Sequence, residues 1–430
     1  MEVTLLDPQS SAWLAETDHL YAELGGIHNP SLFPYHFIQA VLPRIGGQIV
    51  TVRQGDDDAV VFLFPFAQHS AQKEYTGRFH ALKDGTDWHW DAAQTSLENA
   101  LQDARIRWYH PDHPQRYEPT HQWLGDIDIG RPDQHEAEQI RSLQQQIWDS
   151  PPEFLYPVDI HSADFALGTS LVARVGNEIA GFLFGFTKFG GYPLPADWQS
   201  CFQANVRLES QTLGVLPQHR GLRLGFLLKQ VQAQTARTQG IDIINWTVDP
   251  LQYPNAALNF GLLRAVAFDF TADYYPFRNA LNRVAASRFS LTWLVNCARV
   301  QQASLLGVQA TVVDLRHRPA ILRLNEQWNQ VAEANNAPFI AIEIPRDWTS
   351  LQRENLDEAI RWRTVTDEIF SRTIGRNSGQ YVVTDVGVDG ERRFLIAEQA
   401  GDGIGAARHI GGVFEDGDIA GHQRRRGKPK

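Results

Sequence analysis

The stretch from Val206 to Pro250, VRLESQTLGVLPQHRGLRLGFLLKQVQAQTARTQGIDIINWTVDP, restricts the fold more than any other part of the chain. Side chains in a strand alternate between faces with a period of two, yet Val206 and Leu208 occupy one parity and Leu213 and Val215 the other. That slip leaves two readings: two short strands, or one strand with an extra residue near 210–212, a β-bulge. After Pro217 comes Gln218-His219-Arg220-Gly221-Leu222-Arg223-Leu224-Gly225, a basic turn containing glycine. Leu224, Leu227, Leu228 and Val231 then share one face of a helix. Ile241 to Val248 is nearly continuously apolar, the pattern of a strand buried on both faces. Strand, helix and parallel strand make a right-handed unit. The backbone N–H groups of such a turn, opening a helix, form a site suited to phosphate oxygens.

Together these features resemble the acyl-CoA-binding core of the GNAT acyltransferase superfamily. The superfamily's phosphate-loop pattern, Arg/Gln-x-x-Gly-x-Gly/Ala, falls on Arg220, Gly221, Leu222, Arg223, Leu224 and Gly225, with Arg223 where the pattern has its first glycine. The longer string from LESQTLGVLPQHRG through WTVDPLQ-x-x-NA is similar to one branch of GNAT acyltransferases, and the resemblance runs from about Ile127 to Ala397. It implies an α/β fold whose mixed sheet is splayed between its fourth and fifth strands. It also implies acetyl-CoA or another acyl-CoA as cosubstrate, and direct transfer of a short acyl group to a small amine or amino-acid-like acceptor. A non-catalytic GNAT-fold protein that binds acyl-CoA, or acts through interactions, is the alternative.

At 430 residues the chain exceeds one compact core. Residues 1–125 read as an N-terminal α/β block: a strand at Val3 to Leu6, helical spacing over Ser11 to Leu24 and Leu32 to Val41, and a hairpin whose arms, Gln48 to Arg53 and Ala59 to Phe64, flank Gly55-Asp56-Asp57-Asp58. The block is open to two readings, a degenerate GNAT-like copy or an unrelated accessory domain. Residues 126–300 form the GNAT-like core. In it Ile127 to Ile129 is a strand, and Asp133 caps a helix with Ala137, Ile140, Leu143, Ile147 and Trp148 on its apolar face. Leu171 to Val175 and Ile179 to Thr187 follow as a hairpin across Gly176-Asn177. Residues 301–399 read as a C-terminal α/β extension with strands at Val312 to Leu315, Ala320 to Leu324 and Phe339 to Ile344, a helix at Leu356 to Ile374, and a last hairpin from Tyr381 to Ala397. This extension is open to two uses, a cover over the acceptor side or a contact in a homodimer. Residues 400–430 are Gly-rich and end QRRRGKPK, which reads as a disordered tail.

The formal net charge of −11 argues against general nucleic-acid binding. The presence of only Cys201 and Cys297 argues against a disulfide framework or a cysteine zinc site. His110 and His113 lie in a polar, Pro-rich loop with no third ligand near in sequence, so no metal is expected. Without a basic leader or a bilayer-length apolar run, the expectation is a cytoplasmic protein with no membrane segment.

The chemistry of acyl transfer requires a held CoA arm, a donor for the developing oxyanion, a base and an acid. For the arm, the resemblance assigns the backbone of Leu213, Gly214 and Val215 to the pantetheine amides, the turn from Arg220 to Gly225 to the pyrophosphate, and Asn255 as a further contact; helix capping is the plain alternative for Asn255. The turn's alternative is a simple strand–helix connection with two solvent-facing arginines. Glu209 matches the general-base glutamate of several GNAT enzymes, against the alternative of a Glu paired with Arg207 or Arg174. The acid tyrosine that many of these enzymes carry on the next helix is replaced here by Phe260. Tyr274 and Tyr275, just past the sixth strand, are the remaining acid candidates, with packing as the alternative for each. His161 and His219 are expected on surface loops.

Overall fold

The computed structural model describes residues 1–400 except 84, 103, 149, 200, 201, 203, 204, 276–282 and 306–309. The expected basic tail and Cys201 lie outside the described residues. The chain divides into two compact units, one of residues 1–191 and 203–245 and one of residues 192–202 and 246–430. The architecture is α/β with mixed sheets.

In the first unit, β1 (Glu2–Leu5), α1 (Trp13–Glu23) and a π-turn at Phe37–Val41 running into α2 (Leu42–Arg44) precede β2 (Gln48–Gln54), β3 (Asp57–His69), β4 (Gln72–Ala81), α3 (Trp90–Leu101) and β5 (Ala104–Tyr109). The five strands pair in chain order as one sheet. In β3, Val60, Phe62 and Phe64 point into one core, and Ala59, Val61 and Leu63 into another. The strand is therefore buried on both faces, which its run of consecutive apolar residues requires.

β6 (Gln122–Leu124), β7 (Ile127–Gly130), α4 (Gln134–Trp148), β8 (Thr169–Val175), β9 (Glu178–Phe189), β10 (Val206–Val215), α5 (Leu224–Thr238) and β11 (Ile243–Val248) follow. β6 to β10 pair antiparallel in chain order, and β11 joins β10 in parallel. Asp133 caps α4 in a reciprocal box: Asp133 N–H donates to Glu136 and Glu136 N–H to Asp133, each at 2.8 Å. The helix–hairpin–bulged strand–turn–helix–strand order expected of the core is present. The expected boundary near residue 126 falls inside this unit because one aromatic core crosses it: Phe33, Phe37 and Phe64 pack with Tyr156, Phe165 and Phe186.

The second unit continues with α6 (Tyr253–Ala256), a π-turn at Ala257–Leu262, β12 (Val266–Tyr275), β13 (Ala286–Leu294), α7 (Ala298–Leu305), β14 (Val312–Asp314), β15 (Leu322–Arg323), the short pair β16 (Asn325–Glu326) and β17 (Asn329–Gln330), β18 (Phe339–Ile344), α8 (Trp348–Glu354), α9 (Leu356–Thr373), β19 (Tyr381–Asp389) and β20 (Arg392–Gln399). Its sheet runs β15-β18-β20-β19-β12-β13, with β14 alongside β19. The expected boundary near residue 300 falls inside this unit as well. Buried Asp385 of β19 receives both Arg264 and Arg299, the latter at 3.2 Å, so the extension and the end of the core share one ion-pair cluster. The strand expected over Ala320 to Leu324 shortens to Leu322–Arg323.

Candidate functional site

β10 is a single strand with a bulge. It pairs with β9 from Val206↔Phe189 to Val215↔Gly181, and the register shifts between Ser210↔Gly185 and Thr212↔Phe184, skipping Gln211. Of the two sequence readings, one strand with an extra residue is the one observed. Gly185 makes the bulge sterically possible: a Cβ there would sit 2.5 Å from the Glu209 carbonyl oxygen and 3.0 Å from the Ser210 Cα.

On its other edge β10 pairs with β11, among the described residues, only at Leu208↔Ile244 and Glu209↔Asn245. From Ser210 onward that edge has no strand partner among the described residues. The backbone of Leu213, Gly214 and Val215 thus belongs to a strand laddered on one side only. Gly214 is buried, and a Cβ on it would meet Phe182 at 2.7 Å and Ile147 at 3.0 Å, so its small size serves packing.

The open edge leads into the turn. A 3₁₀ turn at Pro217–His219 is followed by Gly221 at φ +99° and Arg223 at φ +60°, ψ +24°. Arg223, at the position where the pattern it resembles has its first glycine, therefore occupies the left-handed region that favours glycine, a conformation that costs an L-residue about 1–2 kcal/mol. It stands at the N-cap of α5 with no side-chain cap hydrogen bond. The N–H groups of Leu224, Gly225 and Phe226, in the first turn, have no intrahelical acceptor, and no other partner among the described residues. Arg220, Gly221, Leu222 and Arg223 are exposed. α5 is held on the sheet by Leu224, Leu228 and Val231, packed with Leu171, Ala180 and Leu183; Leu227 is only half-buried.

Glu209 is buried, and the cations seen on its carboxylate are Lys188 and Arg44. Its Oε2 accepts from Lys188 Nζ at 2.8 Å, and its Oε1 lies 3.6 Å from Arg44 Nη2. Arg174 instead pairs with Asp128 and Glu136, and Arg207 Nη1 reaches Asn245 at 3.5 Å. On the neighbouring position Ser210 Oγ accepts from Lys229 Nζ at 2.8 Å, and both residues are buried. Burial pushes the Lys229 amine well below its ordinary range, against the attraction of Glu209. Ser210, Lys229 and Lys188 carry no sequence motif. The one signal for Lys229 is its place on α5 beside Leu228, where a polar residue joins the buried face.

His161 corrects its expectation. It is buried, its Nδ1 lies 2.8 Å from Ser170 Oγ, and burial lowers its pKa to about 3. His219 is mostly covered, with Nε2 2.8 Å from Glu178. His110 and His113 stack at 4.7 Å. Among the described residues no group of three His, Cys, Asp or Glu is placed to hold a metal, and no helix is long and apolar enough to cross a membrane.

Asn255, Tyr274 and Tyr275 belong to the second unit. Asn255 lies within α6, exposed, and is not its cap, which is Gln252. Tyr274 and Tyr275 end β12 rather than following it; their rings meet edge to face at 4.8 Å, and Arg288 lies over Tyr275. Phe260 is core. Asp249, just after β11, is held by Arg363 at 2.7 Å and by Trp348 Nε1 at 3.1 Å.

Solved structures to which this chain is similar include acetyltransferases. A diaminobutyrate acetyltransferase from Paenibacillus lautus, in complex with L-2,4-diaminobutyric acid and coenzyme A, is 14% identical over 40% of this chain and 97% of its own, with a TM-score of 0.29. A GNAT-family acetyltransferase from Streptococcus pneumoniae is 11% identical over 39% and 97%, with a TM-score of 0.30. An IAA acetyltransferase from Bacillus cereus is 15% identical over 39% and 97%, with a TM-score of 0.27. No family model and no curated protein sequence matches the chain.

Proposed function

We propose that this protein is an acyl-CoA-dependent N-acyltransferase that moves an acetyl or other short acyl group from CoA to a small amine. The observation that carries this reading is the continuity of three features: the open edge of β10 beyond its bulge, the turn through Gly221 and Arg223, and the uncapped N-terminus of α5. An extended pantetheine arm adds to such an edge as a further strand does, by main-chain hydrogen bonds. The pyrophosphate then falls at the Leu224, Gly225 and Phe226 N–H groups, where the helix dipole and the charges of Arg220 and Arg223 favour an anion. The thioester is left at the bulge, next to Ser210 and Glu209. An amino-acid-like acceptor comes from the sequence resemblance alone.

The test is a thermal-shift titration of the full chain, followed by a CoA-release assay with a panel of small amines that includes free amino acids. Stabilisation by acetyl-CoA and not by ATP, with amine-dependent release of CoA thiol, is the expected result. No shift with any CoA ester overturns the proposal. A second reading, a CoA-ester binder without turnover, is favoured by the engagement of both Glu209 oxygens; it predicts the shift without the release.

A further inference from the structure

We infer that the first unit carries a second small-molecule site, away from the edge of β10, and that it takes a small carboxylic acid with an apolar body. This inference does not rest on the acyl-CoA reading above.

The site is a cavity of about 380 Å³ between the end of β7, the start of β8 and the second half of α5. That volume lies near the lower end of the range for small-molecule sites, about 300–1,000 Å³. β7 pairs with β8 from Ile127↔Val175 to Gly130↔Val172, so β8 runs on past it at Thr169 to Leu171. None of the residues lining the cavity belongs to β10, to the turn after it or to the start of α5.

The local sequence builds the walls. Gly130 lets the chain ahead of β6 cross the end of β7, since a Cβ there would collide with the Thr120 carbonyl. Arg131 N–H donates to Thr120 Oγ1 at 2.8 Å and fixes the crossing. Gln122 Nε2 then reaches Gln234 Oε1 of α5 at 3.2 Å. Val231 and Thr235, on one face of α5, stand on the helix side, and Ile129 and Leu171 supply apolar surface from the sheet.

Three features set the chemistry of the ligand. First, Thr169 is 4% exposed and its Oγ1 has no hydrogen-bond partner among the described residues. Thr169 shares a face of β8 with Leu171, which packs with Val231, so its side chain is on the cavity side of the strand. A buried hydroxyl left unpaired is costly, and a ligand oxygen relieves it. Second, the ionisable residues lining the cavity are His121 and Arg131, with no Asp or Glu among them. Asp128, behind His121, is already engaged: its Oδ2 lies 2.6 Å from His121 Nδ1 and 3.1 Å from Arg174 Nη1, and its Oδ1 accepts from Gln122 N–H at 3.0 Å. With Nδ1 fixed on Asp128, the other ring nitrogen of His121 is left to meet a ligand. Arg131 gives Nη2 to Glu118 at 3.1 Å and keeps further donors on its guanidinium. Third, apolar Ile129, Leu171 and Val231 alternate with these donors. An amine finds no acid here and a bare phosphate no use for the apolar walls, whereas a carboxylate on an aliphatic or aromatic body uses both.

The experiment titrates the full chain by calorimetry with butanoate, hexanoate and benzoate, with the amide and the amine matching each, and with inorganic phosphate. The expected result is one saturable site for at least one carboxylate, with its amide and amine at least about tenfold weaker. Thr169→Val, which keeps the shape and removes the hydroxyl, should weaken that carboxylate about threefold or more, and His121→Gln about tenfold. Thr235→Trp should fill the cavity and abolish binding. The thermal midpoint of each variant shows that it is folded, and the two milder variants keep the test decisive if Thr235→Trp is not. Saturation by none of the carboxylates, an amide, an amine or phosphate bound as tightly, or carboxylate affinity unchanged in both Thr169→Val and His121→Gln overturns the inference. Acetyl-CoA binding by the wild-type chain, read in a separate titration, is unaffected by any of these outcomes.

Discussion

Replacing Arg223 by glycine separates the two things this residue does. Its backbone is left-handed at φ +60° and ψ +24°, which costs an L-residue about 1–2 kcal/mol. Glycine removes that strain and adds freedom to the unfolded chain worth about 0.5–1 kcal/mol. The net is a gain of about 0.5–1 kcal/mol for Arg223→Gly. For a cooperative unit of about 150–250 residues this raises Tm by about 1–4 °C. The guanidinium, however, stands at the uncapped start of α5, and losing a charge-assisted contact to phosphate costs about 1.5–3 kcal/mol of binding. Arg223→Gly is therefore expected to be more stable and to bind acetyl-CoA about tenfold or more weakly. Arg223→Ala keeps the strained backbone and loses the charge, so it should bind as weakly as the glycine variant without the rise in Tm. Scanning calorimetry and isothermal titration read the two effects. A glycine variant less stable than wild type contradicts the left-handed turn, and unchanged acetyl-CoA affinity in both variants reduces the turn to a plain connection.

Three further outcomes follow from burial. His36, His80 and His161 have folded-state pKa values lowered to about 4, 3 and 3 by desolvation. Their contribution is present above pH 6.5 and is lost as pH falls below it. Between pH 7.5 and 5.5 the first unit should lose about 1.4 kcal/mol per histidine, and His161→Gln should flatten one share of that loss in urea titrations; a pH-independent midpoint would argue against buried neutral histidines. Glu398 runs the other way: burial raises it to about 7, its Oε1 has no partner among the described residues, and stability present below about pH 4.5 is lost as pH rises through 7. Glu398→Gln should thus gain on wild type by about 2–3 kcal/mol at pH 8 and far less at pH 5, and an equal difference at both pH values would refute it. Gly185→Ala places a Cβ 2.5 Å from the Glu209 carbonyl and should cost about 1–3 kcal/mol; a variant of wild-type stability would mean that β9 and the bulge are farther apart.

Where one periodicity governs a segment, the sequence carries its structure directly. Phe339–Ile344 is a strand as read, α9 ends one residue short of the expected Ile374, and the parity slip between Leu208 and Leu213 is a real register shift. β4 carries no such pattern: QKEYTGRFHA mixes charge with aromatic residues and holds Gly77, whose missing Cβ admits Ile106 from β5. The charged site was the least legible part. Lys188 and Arg44 reach Glu209 from β9 and α2, and a pairing made only by tertiary folding leaves no local trace. Arg223 stood out in the sequence as a departure from a glycine, but only its dihedrals show what the departure imposes.

The central claim is that the edge of β10 and the start of α5 hold an acyl-CoA, and amide hydrogen exchange on the full chain with and without acetyl-CoA tests it residue by residue. Slowed exchange confined to Leu213, Gly214, Val215 and the segment from Arg220 to Phe226 is the predicted result. Exchange unchanged at those residues under saturating acetyl-CoA, or protection found only elsewhere, would contradict it.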